Sequence, residues 1–307
     1  MEWNRPAPIP IKDLNAVRRN YGHITVTPYG GSCGAVVDGI DLSDALDDQT
    51  ISEVKQAYLD HLVLFFRDQR MEPDGLKTFA RHFGDLMTHS FVDGVEGHPE
   101  IMVIAKEPDD LHNFGSSWHS DMTFEEHPPL GSILGAIEVP EFGGNTLFAN
   151  QYLAYDMLSD TYKGMLDGVN AVHSGELVYG PQGEYAGDRW QDGHDGTGII
   201  IDEKANQRFA HPIVRTVPET GGKALFVNEA FTVGIEGMSN EEAEPILHYL
   251  YRHAGRPDFG CSFKWEPGSV AFYDNRTVQH YPLNDYHGQR RVLWRLTISG
   301  EGTRLAS

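Results

Sequence analysis

From about residue 100 onward, short apolar runs recur between glycine and proline turn signals: Ile101–Ala105, Leu130–Ile137, Asn145–Phe148, Ile199–Ile201, Ala224–Val227, Ser269–Tyr273 and Arg291–Ile298. Runs this short are strand-length, and their number and punctuation constrain the chain to a mainly β sandwich or jelly roll. Helices flank it. Ile51, Val54, Ala57 and Tyr58 keep helical spacing after the capping candidates of Ser43–Asp48, and Pro73 opens a second helix through His82 that Gly84 closes. Two further helices are expected near 151–167 and 239–253. Ahead of the β region, Ile24–Thr27, Ala35–Val37 and the continuous run Leu62–Phe66 read as strands, the last a buried one. Residues 1–22 read as an N-terminal arm, and 173–200, with its Gly- and Asp-dense stretch 180–198, as an inserted loop expected to act as a lid. No repeat or linker divides the chain, so 1–307 is expected to be one domain.

The charge balance narrows the partners. The sequence holds 45 acidic against 24 basic residues in 307, a formal charge of −21. Nucleic acid and anionic membrane call for cationic surfaces, so neither is an expected partner. Against this background the cluster Arg290, Arg291 and Arg295 stands out as a place for a small anion. Two cysteines, Cys33 and Cys261, are too few for a disulfide framework and are expected to be reduced. The N-terminus lacks a signal-peptide pattern and no apolar stretch approaches membrane-spanning length, which makes a cytoplasmic location the expectation.

Two distant segments carry the chemistry. In Trp118-His119-Ser120-Asp121, a strand would send His119 and Asp121 to one face. His280 lies after Asp274-Asn275-Arg276, in a polar context expected at the barrel rim. Two imidazoles and one carboxylate form the facial set of non-haem Fe(II) oxygenases, which leaves positions open for other ligands. Zinc with a water is the competing metal for the same donors. Arg291 and Arg295 share a strand face with Leu293. Pointing inward, they would place two cations beside the metal; on an exposed edge strand they would be guarding charges. The Gly-x-Ser-x-Gly match Gly30–Gly34 reads as a turn between two strands, not a strand-to-helix elbow, and no His-Glu-x-x-His helix or Gly-x-x-x-x-Gly-Lys loop is present, so serine hydrolase and nucleotide readings have no support.

Taken together, six segments resemble the TauD/TfdA family of Fe(II)- and 2-oxoglutarate-dependent dioxygenases, most closely its taurine dioxygenase branch. They are Val63–Gln69, Trp118–Phe124, Gly143–Phe148, His211–Thr216, Ala224–Thr232 and Asp274 through His280 to Arg291. The resemblance runs from about residue 24 to 300. It implies a double-stranded β-helix, the cupin-like jelly roll, with flanking helices. It implies His119, Asp121 and His280 as iron ligands, and Thr146 and Arg291 as the holders of the far carboxylate of 2-oxoglutarate. Arg295 and His89 would take an anionic substrate, and Met122, Phe124 and Phe231 would complete its pocket. The implied reaction uses Fe(II), 2-oxoglutarate and O2 to hydroxylate a small acid, with succinate and CO2 as coproducts. Taurine or a related alkylsulfonate is the leading substrate, released as aldehyde and sulfite. An aryloxyalkanoate, an alkyl sulfate or an amino-acid derivative is the alternative, and a non-catalytic binding protein is the alternative of another class. The resemblance also implies a homo-oligomer. Two departures bear on the substrate: Val92 stands where the taurine enzymes carry tyrosine, and Gly115 where they carry asparagine.

Overall fold

The computed structural model describes residues 20–187 and 197–300. Its organising element is the strand Val63–Phe66, all four side chains of which are buried. It pairs antiparallel with Val270–Asp274, with Leu64 opposite Phe272 and Phe65 opposite Ala271. The sheet built on this pair runs in the order Thr25–Pro28, Ala35–Asp38, Val63–Phe66, Val270–Asp274, Gly131–Glu138, Arg291–Ile298, His98–Lys106, Gly94–Val95. One pair, Ala35–Asp38 with Val63–Phe66, is parallel. A second, three-stranded sheet places Thr146–Asn150 between Gly260–Phe263 and Val278–Pro282.

The period-two alternation of strand side chains sorts the apolar residues onto two faces. Leu64, Phe66, Phe272, Ile133, Leu296 and Ile298 point outward into one core. The helices Asp48–His61 and Pro73–Arg81 cover it through Ile51, Val54, Leu76 and Phe79. The alternate residues Val63, Phe65, Tyr273, Leu134 and Leu293 point inward, against Phe148, Phe263, Trp265 and Val278 of the second sheet. This two-sheet interior is the jelly-roll barrel. A third cluster packs the helix Asn240–Ala254, through Leu247 and Leu250, against Ala154, Leu166 and Ile213. A fourth, largely aromatic, gathers Phe91, Phe124, Tyr179, Tyr185 and Phe231 at the barrel mouth.

The strands expected at 101–105, 130–137, 145–148, 269–273 and 291–298 and the early strands are present within a few residues, and so are the helices near 50–60 and 73–82. Several expectations need correction. The 151–167 segment is two short helices, Gln151–Asp156 and Asp160–Leu166, each with its own cap at Asn150 and Ser159. Ile199–Ile201 is no strand; Ile199 makes one isolated bridge to Val92. Arg291–Ile298 is an interior strand with a neighbour on each side, not an edge. Within 173–200 the described residues include the helix Glu176–Tyr179 and a 3-10 turn at Glu184–Ala186. Residues 188–196 of the expected lid and 1–19 of the expected arm lie outside the described residues. Cys33 and Cys261 carry free thiols, with Sγ atoms 3.9 Å apart. No helix among the described residues is long and apolar enough to cross a membrane.

Candidate active site

His119 and Asp121 do not sit on a continuous strand. His119 forms an isolated antiparallel bridge to His280, its N–H donating to the His280 carbonyl at 3.1 Å and its carbonyl accepting from the His280 N–H at 2.8 Å. The chain then turns at once, with Met122 in the left-handed region at φ 48°. His280 lies inside Val278–Pro282 and is buried, rather than at a polar rim. The bridge therefore sets the two imidazoles side by side, with ring centroids 4.1 Å apart, while the turn brings the Asp121 carboxylate beneath them.

The three ligand candidates are all buried, and their donor atoms lie within 4.8 Å of one another. Asp121 Oδ1 is 3.9 Å from Nε2 of each histidine. His119 Nδ1 is 2.7 Å from the Ser117 carbonyl. A carbonyl only accepts, so the ring proton is on Nδ1 and the Nε2 lone pair faces Asp121. The other carboxylate oxygen, Oδ2, accepts from Ser132 Oγ at 2.7 Å and from the Tyr273 hydroxyl at 2.6 Å. Those hydroxyls orient the carboxylate and leave Oδ1 directed at the imidazoles. Asn275 fixes the backbone below: its Oδ1 accepts from Asp121 N–H at 2.6 Å and its Nδ2 donates to the Asp121 carbonyl at 2.8 Å. Asn275 is itself held in a turn by the fork of Arg276 on Asp274, at 2.9 and 2.8 Å.

Charge follows the geometry. Burial alone would raise the Asp121 carboxyl, but Arg295, His280 and His119 outweigh it and hold the group well below the usual carboxylate range. Burial pushes His280 down to about 3, with His119 beside it adding to the effect, and depresses His119 as well. At neutral pH the site thus presents two neutral imidazoles and one carboxylate, the protonation states a metal needs. The donor set is oxygen- and imidazole-only, buried and convergent, which fits Fe(II).

Two guanidiniums from one strand meet this site. Arg295 Nη1 donates to Asp121 Oδ1 at 2.7 Å. Its Nε and Nη2 are buried without partners. Arg291, two turns of the pleat away, donates through Nη2 to Thr146 Oγ1 at 3.2 Å, and Trp265 Nε1 donates to the same oxygen at 2.9 Å. Arg291 is 4% exposed, its Nε is unpartnered, and no carboxylate among the described residues pairs with it. A buried cation without a counter-charge is costly and calls for an anion. Arg290, expected in the same cluster, is instead exposed and paired with Glu107 and Glu138 at 3.0 and 2.6 Å.

Beside the triad a narrow cavity is lined by His89, Gly115, Met122, Tyr179, Tyr185, Phe231 and Arg295, among others. Of the expected substrate residues, His89, Met122, Phe231 and Arg295 line it; Phe124 stands behind Phe231, with ring centroids 4.9 Å apart. Gly115 adopts φ +75°, and a Cβ there would lie 2.8 Å from the His119 ring, so a side chain at this position requires a different backbone. Sequence reasoning missed Ser132, Tyr273, Trp265, Tyr179 and Tyr185. Ser132 left one signal, a polar residue inside the apolar run Leu130–Ile137; the others look like ordinary core aromatics.

Thr123 ties the ligand turn to the neighbouring small sheet. Its Oγ1 accepts from Asn228 Nδ2 at 3.0 Å and meets His173 Nδ1 at 3.0 Å. His211 Nε2 donates to the Glu125 carbonyl at 3.0 Å. Burial pushes His211 down to about 4 and also depresses His173. An unfolded histidine titrates near 6.5. Between about 4 and about 6.5 the unfolded chain therefore binds more protons than the folded one. The unfolding free energy of the metal-free protein is expected to be flat above about pH 7 and to fall as pH drops from there toward 4. Urea denaturation across that range checks this, and His211→Gln should make the fall shallower.

The chain matches the family described as "Taurine catabolism dioxygenase TauD, TfdA family" over residues 25–297. It belongs to that family. It is 34% identical over 275 residues to an alkylsulfatase of Acinetobacter baylyi, covering 89% of this chain and 84% of that one. It is 32% identical over 281 residues to an alpha-ketoglutarate-dependent sulfate ester dioxygenase of Pseudomonas putida, covering 91% and 90%. Among solved structures it is similar to a taurine dioxygenase from Burkholderia xenovorans, at 33% identity and a TM-score of 0.74, covering 91% and 92%. The chain is thus a 2-oxoglutarate-dependent dioxygenase of the TauD/TfdA family, with Fe(II), 2-oxoglutarate and O2 as its reagents and a cupin-like jelly roll as its fold.

Proposed function

We propose that this TauD/TfdA enzyme hydroxylates the carbon that bears the sulfur group of an alkyl sulfate ester or alkylsulfonate, taurine included, with His119, Asp121 and His280 as the iron ligands. The observation that carries the reading is the pair of buried guanidiniums on one strand, each with unmet N–H groups, one beside Thr146 and one beside Asp121. One cation serves the cosubstrate and the other the substrate.

The bound iron, with 2-oxoglutarate and O2, supplies an oxidant strong enough to hydroxylate an unactivated C–H bond. The residues supply position. Arg291 and Thr146 hold the far carboxylate of 2-oxoglutarate, the guanidinium through a charge-assisted contact. Arg295 is held by Asp121 and keeps Nε and Nη2 for the substrate anion. His89 accepts from Phe91 N–H at Nδ1, at 3.0 Å, and burial keeps it neutral, so its proton sits on Nε2 and can be donated to the same anion. Phe231, Met122 and the aromatic wall exclude water from the reacting carbon. A hydroxyl placed on a carbon bearing –OSO3⁻ or –SO3⁻ collapses to an aldehyde with release of sulfate or sulfite. The sulfate-ester and sulfonate relatives and the taurine dioxygenase neighbour support this substrate class. Gly115 and Val92 remove two side chains of the taurine pocket and weigh toward a tail other than aminoethyl.

A substrate panel tests the reading. Alkyl sulfates, alkylsulfonates including taurine, aryloxyalkanoates and amino-acid derivatives would be scored by succinate formed with each. Sulfate or sulfite released in step with succinate is expected; succinate formation driven only by a carboxylic acid would sink the substrate class. Arg295→Ala should raise KM for the sulfur compound by about 10- to 100-fold, the scale of one hydrogen bond to a charged group. KM for 2-oxoglutarate should move far less.

A further inference from the structure

The substrate end of the cavity holds one donor that the mechanism above leaves unused. Tyr179 closes the short helix Glu176–Tyr179 and is 2% exposed. Its ring is fixed on three sides: it stacks on Phe91 with centroids 5.2 Å apart and meets Phe124 and Tyr185 at 5.7 and 5.8 Å. Its carbonyl is held by Asp202 N–H at 3.2 Å. The ring therefore cannot swing away, and it lines the same cavity wall as His89 and Arg295.

The hydroxyl meets one group among the described residues, His89 Nε2 at 3.4 Å. Because Phe91 N–H occupies His89 Nδ1, the imidazole proton is on Nε2, and in the ligand-free protein the Tyr179 oxygen is the acceptor in that contact, which a bound anion would replace. The phenolic proton is then left without an acceptor, in a buried site. Tyr185, its neighbour, is different. Its hydroxyl accepts from Gly115 N–H at 2.8 Å, which fixes the segment Phe114–Ser117 rather than facing an empty lone-pair demand.

Head-group geometry decides what the spare proton serves. A carboxylate has two oxygens in one plane, and the parallel Nε and Nη2 donors of Arg295 satisfy both. A sulfate ester or sulfonate is tetrahedral and carries a third oxygen out of the guanidinium plane. That oxygen needs a donor from the side, where His89 and Tyr179 stand. We propose that Tyr179 is a specificity-determining residue whose hydroxyl donates to the out-of-plane oxygen of R–O–SO3⁻ or R–SO3⁻, selecting sulfur oxyanions over carboxylates. This rests on the substrate class proposed above.

Tyr179→Phe isolates the hydroxyl and keeps the ring packing. Two compounds with the same alkyl chain, one ending in sulfate and one in carboxylate, would be titrated calorimetrically into protein loaded with Fe(II) and 2-oxoglutarate without oxygen. KM and kcat would be measured in parallel. The expected result is a rise of about tenfold in Kd and KM for the sulfate, kcat within about twofold, and a carboxylate Kd within about twofold of wild type. Equal weakening of both compounds, or no change for the sulfate, overturns the proposal and leaves Tyr179 as a packing residue. Wild-type protein that binds the carboxylate and no sulfate or sulfonate overturns the substrate class itself, and the proposal with it.

Discussion

Asp121→Asn should abolish iron retention and lower turnover by about three orders of magnitude or more, on the order of 4 kcal/mol in transition-state stabilisation. The reason lies in how many contacts converge on this carboxylate. Ser132 and Tyr273 hold Oδ2, Arg295 meets Oδ1, and Asn275 grips the backbone on both sides. An amide keeps the shape and loses the charge. The iron loses an anionic ligand, and Arg295 becomes a buried guanidinium without a counter-ion. Breaking a buried pair in this way costs roughly 3–5 kcal/mol, so the metal-free variant should also unfold at lower urea than wild type. Iron stoichiometry after dialysis and succinate formation check the first effect, and urea denaturation the second. A variant that retained stoichiometric iron and wild-type turnover would remove Asp121 from the ligand set.

Arg291→Met should separate function from stability with opposite signs. The guanidinium is buried, its Nε is unpartnered, and burial pushes it below its usual range. In the ligand-free protein it is therefore a cost that methionine relieves, and the apo variant should melt at a higher temperature. For 2-oxoglutarate the same change removes a charge-assisted contact. KM for the cosubstrate should rise about 30- to 100-fold, the scale of ~2–3 kcal/mol. kcat at saturating cosubstrate should stay within a few-fold. Arg291→Lys keeps the charge but loses the planar fork and should fall between the two. Calorimetric melting and the dependence of rate on 2-oxoglutarate give both readouts.

The parts of the fold carried by local pattern were legible in the sequence, and those that depend on pairing were not. Val63–Phe66, Gly131–Glu138 and Arg291–Ile298 announced themselves as apolar runs. The strands Asn170–Ser174, Arg208–Pro212 and Gly260–Phe263 are short and mixed, and tertiary pairing makes them strands rather than their own propensity. The convergence of His119, Asp121 and His280 on one point was legible because three donors of the right type fell in recognisable segments. The local reading behind it was wrong twice, since His119 sits at a lone bridge and His280 within a strand. Both errors share a cause. The two histidines pair with each other across 161 positions of chain, and no single-segment pattern reports such a contact. Ser132 and Tyr273 were illegible for a related reason, because a buried hydroxyl that orients a ligand has the sequence signature of an ordinary core position.

The most direct test is spectroscopic. Fe(II) and 2-oxoglutarate added to the protein without oxygen should give the weak visible charge-transfer band of an iron-bound 2-oxo acid. It should be absent in Asp121→Asn and should require far more 2-oxoglutarate to develop in Arg291→Met. A wild-type protein that holds iron yet shows no band, or a band that forms in Arg291→Met at the same 2-oxoglutarate concentration as in wild type, would contradict the assignment of these residues.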